Sequence, residues 1–272
     1  MIKSINGRTQ YLKTTSAKTN PSPLENALSG ITQVSISNMD EAGLPPSLVA
    51  TASKSVVGSL VGSLDEGGLS KNQIGGELKN ITSKAVDSLD QIEGISPSDI
   101  TSSLKEITSG ATSAFDQIEV SDYSASDLGE MVQEISSGAT QALGNIEIDG
   151  ISSDNLSSMM EKVTAGATGA LGQISMEGYS SSNLTTMLSK ITSGATSALG
   201  DIEMEGYSSD NLSLMVEKIT AGATSALDEI KLEDFSSDNL SSMVQEITSG
   251  ATGALDEIET VSYTHLTLPT KA

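Results

Sequence analysis

Several residue types that build reactive or cross-linked sites are missing from this chain. Its 272 residues include no cysteine, no tryptophan and one histidine, His265, together with five tyrosines and two phenylalanines. The lack of cysteine excludes disulfide frameworks and Cys/His zinc sites. Catalysis through a thiolate is excluded as well, and catalysis through an imidazole has no other candidate residue. We therefore expect a protein that is not an enzyme, with no catalytic, cofactor-binding or metal-binding residues.

Positive charge is also scarce. The chain has 14 Lys and Arg residues against 36 Asp and Glu residues, for a net charge of −22. The first twenty residues hold four cations, Lys3, Arg8, Lys13 and Lys18, and no acid, so the remaining residues are more acidic than the whole. Phosphate recognition needs clustered cations, so we expect no nucleic-acid partner and no attraction to anionic lipid.

Long apolar runs are absent too. No stretch reaches the roughly 18 consecutive apolar residues that a membrane-spanning helix requires. The basic amino-terminal residues are not followed by the apolar core of a secretion signal. The sequence thus predicts neither a membrane span nor a signal peptide within these residues, and membrane association is not expected.

What the chain does contain is one unit of 28 residues, repeated. Ser157–Leu184 and Ser213–Leu240 are identical at 17 of 28 positions. A fixed period of this size indicates a repeat array, in which each unit buries its apolar face against other units. The period is marked by a central isoleucine, or valine once, which recurs at Ile107, Ile135, Val163, Ile191, Ile219 and Ile247.

The apolar spacing within one unit predicts a single helix. In one repeat Leu212, Met215, Ile219, Ala223 and Ile230 follow one another at helical intervals. Short connections then force neighbouring helices to be antiparallel. The sequence predicts an all-α tandem array of about nine antiparallel single-helix repeats of 25–28 residues. Nine helices fit, at roughly 22–42, 46–67, 70–93, 97–121, 125–149, 153–177, 181–205, 209–233 and 237–259.

Two alternatives to single helices follow from the same unit. The stretch Thr-Ala-Gly-Ala-Thr in mid-helix costs about 1 kcal/mol for its glycine, and a break there gives two short helices per repeat. The alternation Ile202-x-Met204 is typical of a short strand. Leu227-x-x-Ile230-x-Leu232 is loosely similar to a leucine-rich repeat, which implies an α/β solenoid, although Phe235 or Tyr207 stands where that family places asparagine.

Each predicted helix begins with the same short device. Gly206 can end the preceding helix in the left-handed conformation. Tyr207 and Leu212 then form a hydrophobic staple around Ser208, whose oxygen can cap the helix, and Asp210 favours the helix dipole. The device recurs at Gly178-Tyr179, Gly150-Ile151, Gly94-Ile95, Gly68-Leu69 and Gly43-Leu44, and Tyr123 and Phe235 also occupy the staple position.

The repeats divide the chain into four parts. Residues 1–20 are predicted to be a flexible basic arm, and 21–93 a set of divergent amino-terminal repeats that act as a cap. The regular repeats occupy 94–260, and 261–272 is a tail in which the repeat pattern is lost. The last regular helix is expected to leave an apolar face uncovered.

The tail resembles something other than protein-coding sequence. Val261–Thr270 reads Val-Ser-Tyr-Thr-His-Leu-Thr-Leu-Pro-Thr, which the codons GTC TCT TAT ACA CAT CTG ACG CTG CCG ACG encode. That DNA resembles the transposase adapter used in sequencing-library preparation. The resemblance implies that 261–272 is non-native, that the natural carboxyl end is missing, and that His265 is not a natural residue.

Two groups of side chains are candidates for binding. Asp228-Glu229 and Glu233-Asp234 cluster at a repeat end and could coordinate Ca²⁺, although no calcium-loop motif is present. Solvated surface charge is the interpretation we favour for them. Five methionines could form an adaptable groove, but core filling is the more common use of methionine on a helical face. They are Met159, Met160, Met187, Met204 and Met215.

These features favour a non-enzymatic repeat protein that acts as a spacer, scaffold or protein-interaction surface, within a larger microbial surface or secreted protein. Its partners would be other proteins, or a second copy bound through the uncapped carboxyl-terminal repeat. One alternative is an intracellular α-solenoid that binds a peptide or helix. The other is an amphipathic-helix protein of lipid surfaces, loosely similar to perilipins, although the acidic flanks argue against it.

Overall fold

The computed structural model describes residues 23–39, 41–64, 69–118, 123–146, 152–174, 180–202, 208–230 and 236–265. In these ranges the chain forms nine α-helices and no strand, so the all-α repeat array is confirmed. The helices are α1 Pro23–Ser37, α2 Pro46–Gly62, α3 Lys71–Asp87, α4 Pro97–Ser113, α5 Ala125–Ala142, α6 Ser153–Leu171, α7 Ser181–Ser197, α8 Ser209–Ser225 and α9 Ser237–His265.

The helices run through the glycine motif without a break. Gly110 lies inside α4 and Gly166 inside α6, each with helical residues on both sides. The alternative of two short helices per repeat is therefore wrong for the described residues, and the prediction of one helix per repeat is confirmed. The leucine-rich-repeat alternative is wrong for the described residues as well, since Ile202 and Ile230 have an extended backbone but belong to no strand; Met204 and Leu232 lie outside the described residues.

Helices α1 to α8 are shorter than the pattern predicted, whereas α9 extends beyond the predicted 237–259 to His265. In four repeats the α-helix passes into a short 3₁₀ turn, as at Ala114–Gln117 after α4 and Ala226–Glu229 after α8. The isoleucine that follows, such as Ile118 or Ile230, is extended and almost fully buried. Its burial explains the error: the apolar period continues past the helix because the connecting chain also packs on the core.

The predicted serine caps are present. Ser208 Oγ accepts the backbone N–H of Asn211 at 3.3 Å, and Asn211 Oδ1 accepts the Ser208 N–H at 2.9 Å. This reciprocal capping box satisfies two backbone donors that a helix start leaves without partners. Gly94 adopts the positive φ of 75° that its position in the device predicted. The staple residues Tyr179, Tyr207 and Phe235 lie outside the described residues, as does the predicted arm at 1–20.

Consecutive helices are antiparallel and belong to different layers. Seven residues separate the turn that ends at Asn145 from the start of α6 at Ser153, and they can span at most about 25 Å. A 19-residue helix such as α6 is about 28 Å long. The connection is too short to return over such a length, as a parallel neighbour would require, so α6 runs antiparallel to α5. Each helix packs most extensively on the helix two places away, which gives one layer of α1, α3, α5, α7 and α9 and a second layer of α2, α4, α6 and α8.

Large apolar side chains fill the space between the two layers. The central residues Ile107, Ile135, Val163, Ile191 and Ile219 are fully buried, and one continuous cluster extends from Leu28 in α1 to Ala251 in α9. Burial of this surface is the main stabilising term of the fold. Because the cluster is shared by all nine helices, no helix has a core of its own.

Within a layer the contact is different, because small residues bring parallel helices close together. The glycine three residues after each central residue faces a backbone carbonyl of the helix two places earlier. A Cβ on Gly110 would lie 2.6 Å from the Lys54 oxygen, and one on Gly138 would lie 2.5 Å from the Lys79 oxygen. We call these residues the stacking glycines; they are Gly110, Gly138, Gly166, Gly194, Gly222 and Gly250.

The first two helices of one layer, α1 and α3, meet without a stacking glycine. Lys84 of α3 stands three residues after Ile81, where the later helices have glycine. In agreement, α3 packs on α1 much less extensively than α5 packs on α3. Close stacking therefore depends on glycine at this position, whereas helix formation does not.

Replacing a stacking glycine should destabilise the protein. Gly166→Ala introduces a Cβ that collides with the Lys105 carbonyl and with Thr108 Oγ1, and overpacking of this kind costs about 2 kcal/mol. Gly253→Ala in α9 is the matched control, because nothing lies within 4 Å of its Cβ position. At that position the better helix propensity of alanine should raise the free energy of unfolding by about 0.5–1 kcal/mol. Urea unfolding measures both, and equal effects of the two changes would contradict the close-stacking account.

A second set of small residues carries a stability cost. Thr112, Thr140, Thr168 and Thr196 lie two residues after the stacking glycines of α4 to α7, and their hydroxyls are buried without a hydrogen-bond partner. The equivalent Thr224 of α8, which no further helix covers, donates to the Thr220 carbonyl at 2.8 Å. An unsatisfied buried hydroxyl costs about 1–3 kcal/mol. The stability gained when the next helix stacks is therefore reduced by the cost of burying this hydroxyl without a partner.

This difference predicts opposite effects of the same substitution. Thr168→Val keeps the branched shape and removes an unpaired buried hydroxyl, so it should raise the free energy of unfolding by about 1 kcal/mol. Thr224→Val removes a hydroxyl that is bonded and partly exposed, and should leave stability unchanged or lower it by less than about 1 kcal/mol. Denaturant titration of both variants is the measurement. A loss of stability in Thr168→Val would show that its hydroxyl has a partner in solution.

Candidate interaction face

The contact between α6 and α8 shows what a covered helix face looks like. Thr164 Oγ1 of α6 donates to the Ile219 carbonyl of α8 at 3.0 Å, and Lys218 Nζ lies 2.9 Å from Glu161 Oε2. Gly222 of α8 faces the Glu161 carbonyl directly. The receiving side of α6 consists of Glu161, Thr164, Ala165 and Thr168, and the last three are buried.

The Glu161–Lys218 ion pair is the electrostatic part of this contact. Partial burial acts to raise the pKa of Glu161, but the hydrogen bond from Lys218 and the charge of Lys162 outweigh it and lower the pKa below its usual value. The hydrogen bond to Glu161 raises the pKa of Lys218 in turn. Both shifts favour the charged forms, so the pair remains intact across the physiological range.

The same residues recur on α8, where no helix covers them. Glu217, Thr220, Ala221 and Thr224 stand 56 residues after Glu161, Thr164, Ala165 and Thr168. Glu217 and Ala221 are exposed, and Thr220 and Thr224 are partly exposed. We call these four residues the open face.

The end helix α9 is uncovered in the same way. Val244, three residues before the central Ile247, is 40% exposed, whereas Leu104, Val132, Met160 and Leu188 at the equivalent position are fully buried. Thr248 and Thr252 of α9 are also exposed. The expectation of an uncovered apolar face at the last regular helix is therefore met within the described residues.

The first two helices also expose large apolar residues, but their surface is chemically different. Ile31 and Val34 of α1 and Leu48 of α2 are the other large apolar residues that are exposed in the described part of the chain, at 50%, 59% and 53%. The Asn38 N–H donates to the Val34 carbonyl at the end of α1 as the Ser88 N–H donates to the Lys84 carbonyl at the end of α3, which aligns Ile31 with the central Ile81. Val34 therefore occupies the place of a stacking glycine.

The α2 helix lacks that glycine too. The contact of Gly110 with the Lys54 carbonyl aligns Lys54 with Lys105 of α4, since Gly166 meets the Lys105 carbonyl. This alignment puts Ser59, which is exposed, at the stacking-glycine position of α2. Both helices at this end thus present a side chain where close stacking needs none.

Charged residues pair across helices of the same layer. The pairing follows one rule, counted from the central residue of each helix. The residue two places before the central residue of one helix meets a residue of the helix two places later in the chain. That partner lies one place before its own central residue. Lys54 lies 3.0 Å from Glu106, Lys79 lies 4.0 Å from Glu134, and Lys218 meets Glu161 with the signs reversed. Exposed pairs add little stability, but they discriminate between partners, because like charges at the same places repel.

Helices α4 and α6 carry like charges at these two positions, and both side chains pair with other residues instead. Lys105 of α4 and Lys162 of α6 occupy the two positions. Lys105 instead reaches Glu229, beyond α8, at 2.9 Å, and Lys162 turns to its neighbour Glu161 at 3.5 Å. The side chain of Glu229 lies against Gly169, where a Cβ would collide with it.

The outer surface also contains a shallow polar groove of about 440 Å³. It crosses α3, α5 and α7, and its charged lining residues are Lys71, Asp127, Glu130, Glu134 and Lys190. Lys71 Nζ lies 2.9 Å from Asp127 and 4.7 Å from the centre of the Tyr123 ring. The two signs of charge largely neutralise one another, so the groove has no preference for a ligand of one charge.

The candidate binding residues from the sequence are placed as follows. Met159, Met160, Met187 and Met215 are at most 1% exposed, so they fill the core and do not line a groove. Met204, Glu233 and Asp234 lie outside the described residues. Glu229 is paired with Lys105, and among the described residues no three acidic or histidine side chains come together to hold a metal ion.

The residues that sequence reasoning missed are the paired charges. Each belongs to an ordinary-looking helix surface, and the pairing is visible only when a repeat is compared with the repeat after next. Glu161 and Lys218 are separated by 57 residues and Lys54 and Glu106 by 52. The charged residues are visible in the sequence. Their pairing can be predicted only once it is known that helices two places apart are neighbours.

No family model and no curated protein matches the sequence. A solved structure described as "Computational Design of Self-Assembling Cyclic Protein Homooligomers" is similar at 13% identity over 88% of this chain and 97% of that chain, with a TM-score of 0.41. In the described part of the chain, no helix is both long enough and apolar enough to cross a bilayer.

The ion pair at Asp127 predicts a pH dependence. The hydrogen bond from the Ser124 backbone N–H and that from Lys71 lower the pKa of Asp127 to about 2, below the value of about 3.9 in an unfolded chain. The stability that the ionised Asp127 contributes is therefore complete above about pH 4 and is lost as the pH falls through about 2.

Asp127→Asn isolates this contribution. Asparagine occupies the same capping place at Asn155 and Asn183, so the variant keeps the helix cap and loses the charge. Thermal unfolding should show the variant less stable than the parent at pH 6, with the difference shrinking as the pH falls toward 2 and vanishing below it. Asp154→Asn, at an exposed first-turn position of α6, is the control. A pH-independent difference would mean that neither the Ser124 hydrogen bond nor the Lys71 contact favours the ionised form of Asp127.

Proposed function

We propose that this chain is a non-enzymatic helical scaffold whose length is set by the number of its repeats. The observation that carries the proposal is that one contact is repeated along the array. Gly222 of α8 meets the Glu161 carbonyl of α6 as Gly166 of α6 meets the Lys105 carbonyl of α4. The open face of α8 carries the same residue types as the receiving side of α6, so it can accept a further helix in the same way.

The scaffold role rests on how the array is assembled. Each added helix buries its apolar side in the shared core and its stacking glycine against the helix two places earlier. Length is therefore set by the number of repeats, without a change in the contacts of those already present. Such an array suits a spacer or scaffold.

The proposed setting is a larger microbial surface or secreted protein. An acidic chain without cysteine, with a net charge of −22, remains soluble and repels like surfaces. The tail at 261–270 has no part in the proposed function, in keeping with its resemblance to a translated adapter.

The scaffold proposal predicts that one more pair of repeats will bury the open face. Duplicating residues 180–235 immediately after residue 235 adds two helices in the same order, and the second copy of Lys218 would then meet Glu217 as Lys218 meets Glu161. The chain has no cysteine, so the thiol of Ala221→Cys reports on that face alone. In the parent length the thiol should react rapidly; in the lengthened chain its modification should slow by about 100-fold, which corresponds to a local opening of about 3 kcal/mol.

Ala165→Cys is the matched control. Ala165 is the equivalent residue on α6 and is 6% exposed, so its thiol should react slowly in chains of either length. If the Ala221→Cys thiol stays as reactive in the lengthened chain as in the parent, the array is not extended by stacking and the scaffold proposal fails.

A further inference from the structure

The polar groove across α3, α5 and α7 is formed where two helices depart from the repeated unit. Six residues before the central residue, α4 and α6 to α9 carry serine or threonine, whereas α3 carries Gly75 and α5 carries Gly129. In α3 a second glycine, Gly76, follows directly, although glycine inside a helix lowers its stability. Within the described part of the chain, a Cβ on Gly76 would meet no atom within 4 Å, and one on Gly75 would meet only the Glu134 side chain at 3.8 Å. Packing therefore does not require these two glycines, and they leave open space in the groove.

Lys190 of α7 reaches this groove over Gly129. A Cβ on Gly129 would lie 3.3 Å from Lys190 Cγ and 3.7 Å from Thr186 Cγ2. The glycine thus makes room for the stem of the lysine to pack on α5. Lys190 is half-buried and lines the groove, so the departure at Gly129 brings a positive charge to it.

The charge of Lys190 has no counterpart within the ranges that the structure describes. Every other lysine in those ranges lies within 4.0 Å of a carboxylate; they are Lys54, Lys71, Lys79, Lys84, Lys105, Lys162 and Lys218. By the pairing rule Lys190, one place before Ile191, should meet the residue two places before Ile135, and that residue is the uncharged Gln133. In a chain with a net charge of −22, this lysine is left available to an anionic group of a ligand.

A negative charge in the same groove is also available. Glu130 of α5 is exposed, and it takes part in none of the ion pairs of the described residues. The other charged lining residues are occupied, since Lys71 lies 2.9 Å from Asp127 and Glu134 lies 4.0 Å from Lys79. A ligand in the groove therefore meets one unpaired cation and one unpaired anion, which favours a ligand that carries both signs of charge.

The length of the groove matches an extended peptide. Packed helices lie about 8–10 Å apart, so the distance from α3 across α5 to α7 is about 16–20 Å. Five or six residues of extended chain, at about 3.3 Å each, span that distance. The side-chain amides of Asn72 and Gln133 line the same groove, and amides can donate to and accept from a peptide backbone. Alternate side chains of an extended peptide point to the same side, so two charges separated by one residue can face the groove together.

We propose that this groove binds an extended peptide segment in which an acidic and a basic side chain are separated by one residue. The acidic side chain meets Lys190, the basic side chain meets Glu130, and the peptide backbone lies over Gly75 and Gly76. The carboxylates around the groove disfavour a phosphate-rich ligand, and a small zwitterion would leave most of the length empty. The proposal goes beyond the scaffold role and does not depend on the ends of the array, because α1 and α9 flank these three helices in the same layer.

The probe is the hexapeptide acetyl-Ala-Asp-Ala-Lys-Ala-Ala-amide, titrated into the nitrogen-15-labelled full chain and followed by NMR. The amide signals of Gly75, Gly76 and Gly129 should shift in a saturable way, with a Kd of about 1 mM or below. Peptides with aspartate at both charged places, or with lysine at both, should bind about 5-fold more weakly, the upper end for one exposed ion pair. The absence of a saturable shift, or equal affinities of the three peptides, would overturn the proposal.

Filling the open space should remove binding without harming the fold. Gly76→Leu places a side chain where the peptide backbone would lie, and leucine favours a helix more than glycine does. The variant should therefore resist urea at least as well as the parent and should not bind the mixed-charge peptide. Binding as tight as that of the parent would show that the peptide lies elsewhere.

A change of one atom type tests the role of the unpaired lysine. Gln133→Glu keeps the size of the side chain and gives Lys190 the internal partner that the pairing rule predicts. The affinity for the mixed-charge peptide should fall by about 5-fold, because the lysine is no longer available. Gln141→Glu is the matched control: it adds the same charge to α5 about 12 Å further along the helix, outside the groove, and should leave the affinity unchanged. Equal affinities of the two glutamate variants would mean that Lys190 does not contact the peptide.

Discussion

The contact between a glycine and a backbone carbonyl two helices earlier is the constraint on which this structure depends. Gly110, Gly138 and Gly166 each allow a helix to approach its layer neighbour until backbone meets backbone. Approach at this distance brings Cα–H groups and carbonyls into weak hydrogen-bonding range. It also fixes the register, since only one residue per repeat fits. The pairing of charges and the burial of threonines follow from that register.

Two different chemistries hold the array in two directions. Between layers, large apolar side chains such as Ile107 and Leu104 exclude water and supply most of the stability. Within a layer, glycine, alanine and threonine supply fit, and residues such as Thr168 do so at the expense of an unpaired hydroxyl. Apolar packing between the layers tolerates many different side chains. Packing within a layer requires small residues at fixed places, so it is the more selective of the two contacts.

The two ends of the array differ in what they permit. Both leave apolar residues exposed, Val34 at one end and Val244 at the other. At the amino-terminal end the place of the stacking glycine is occupied by a side chain, so a further helix is kept at a distance. At the other end α8 presents a receiving side complete with Glu217. The first and last described helices therefore differ in how closely a further helix could approach them.

The sequence by itself determined the repeat, the one-helix unit and the caps. The period of the central isoleucines, the spacing of residues such as Leu212 and Ile219, and Ser208 before a polar third residue are local signals, and local geometry decides them. It could not show that Ile230 packs on the core after the helix has ended, because the apolar period does not distinguish helix from connection. Only the tertiary structure decided that helices two places apart are neighbours. That choice depends on how closely backbones can approach, and it alone brings Glu161 to Lys218 and leaves Glu217 without its counterpart.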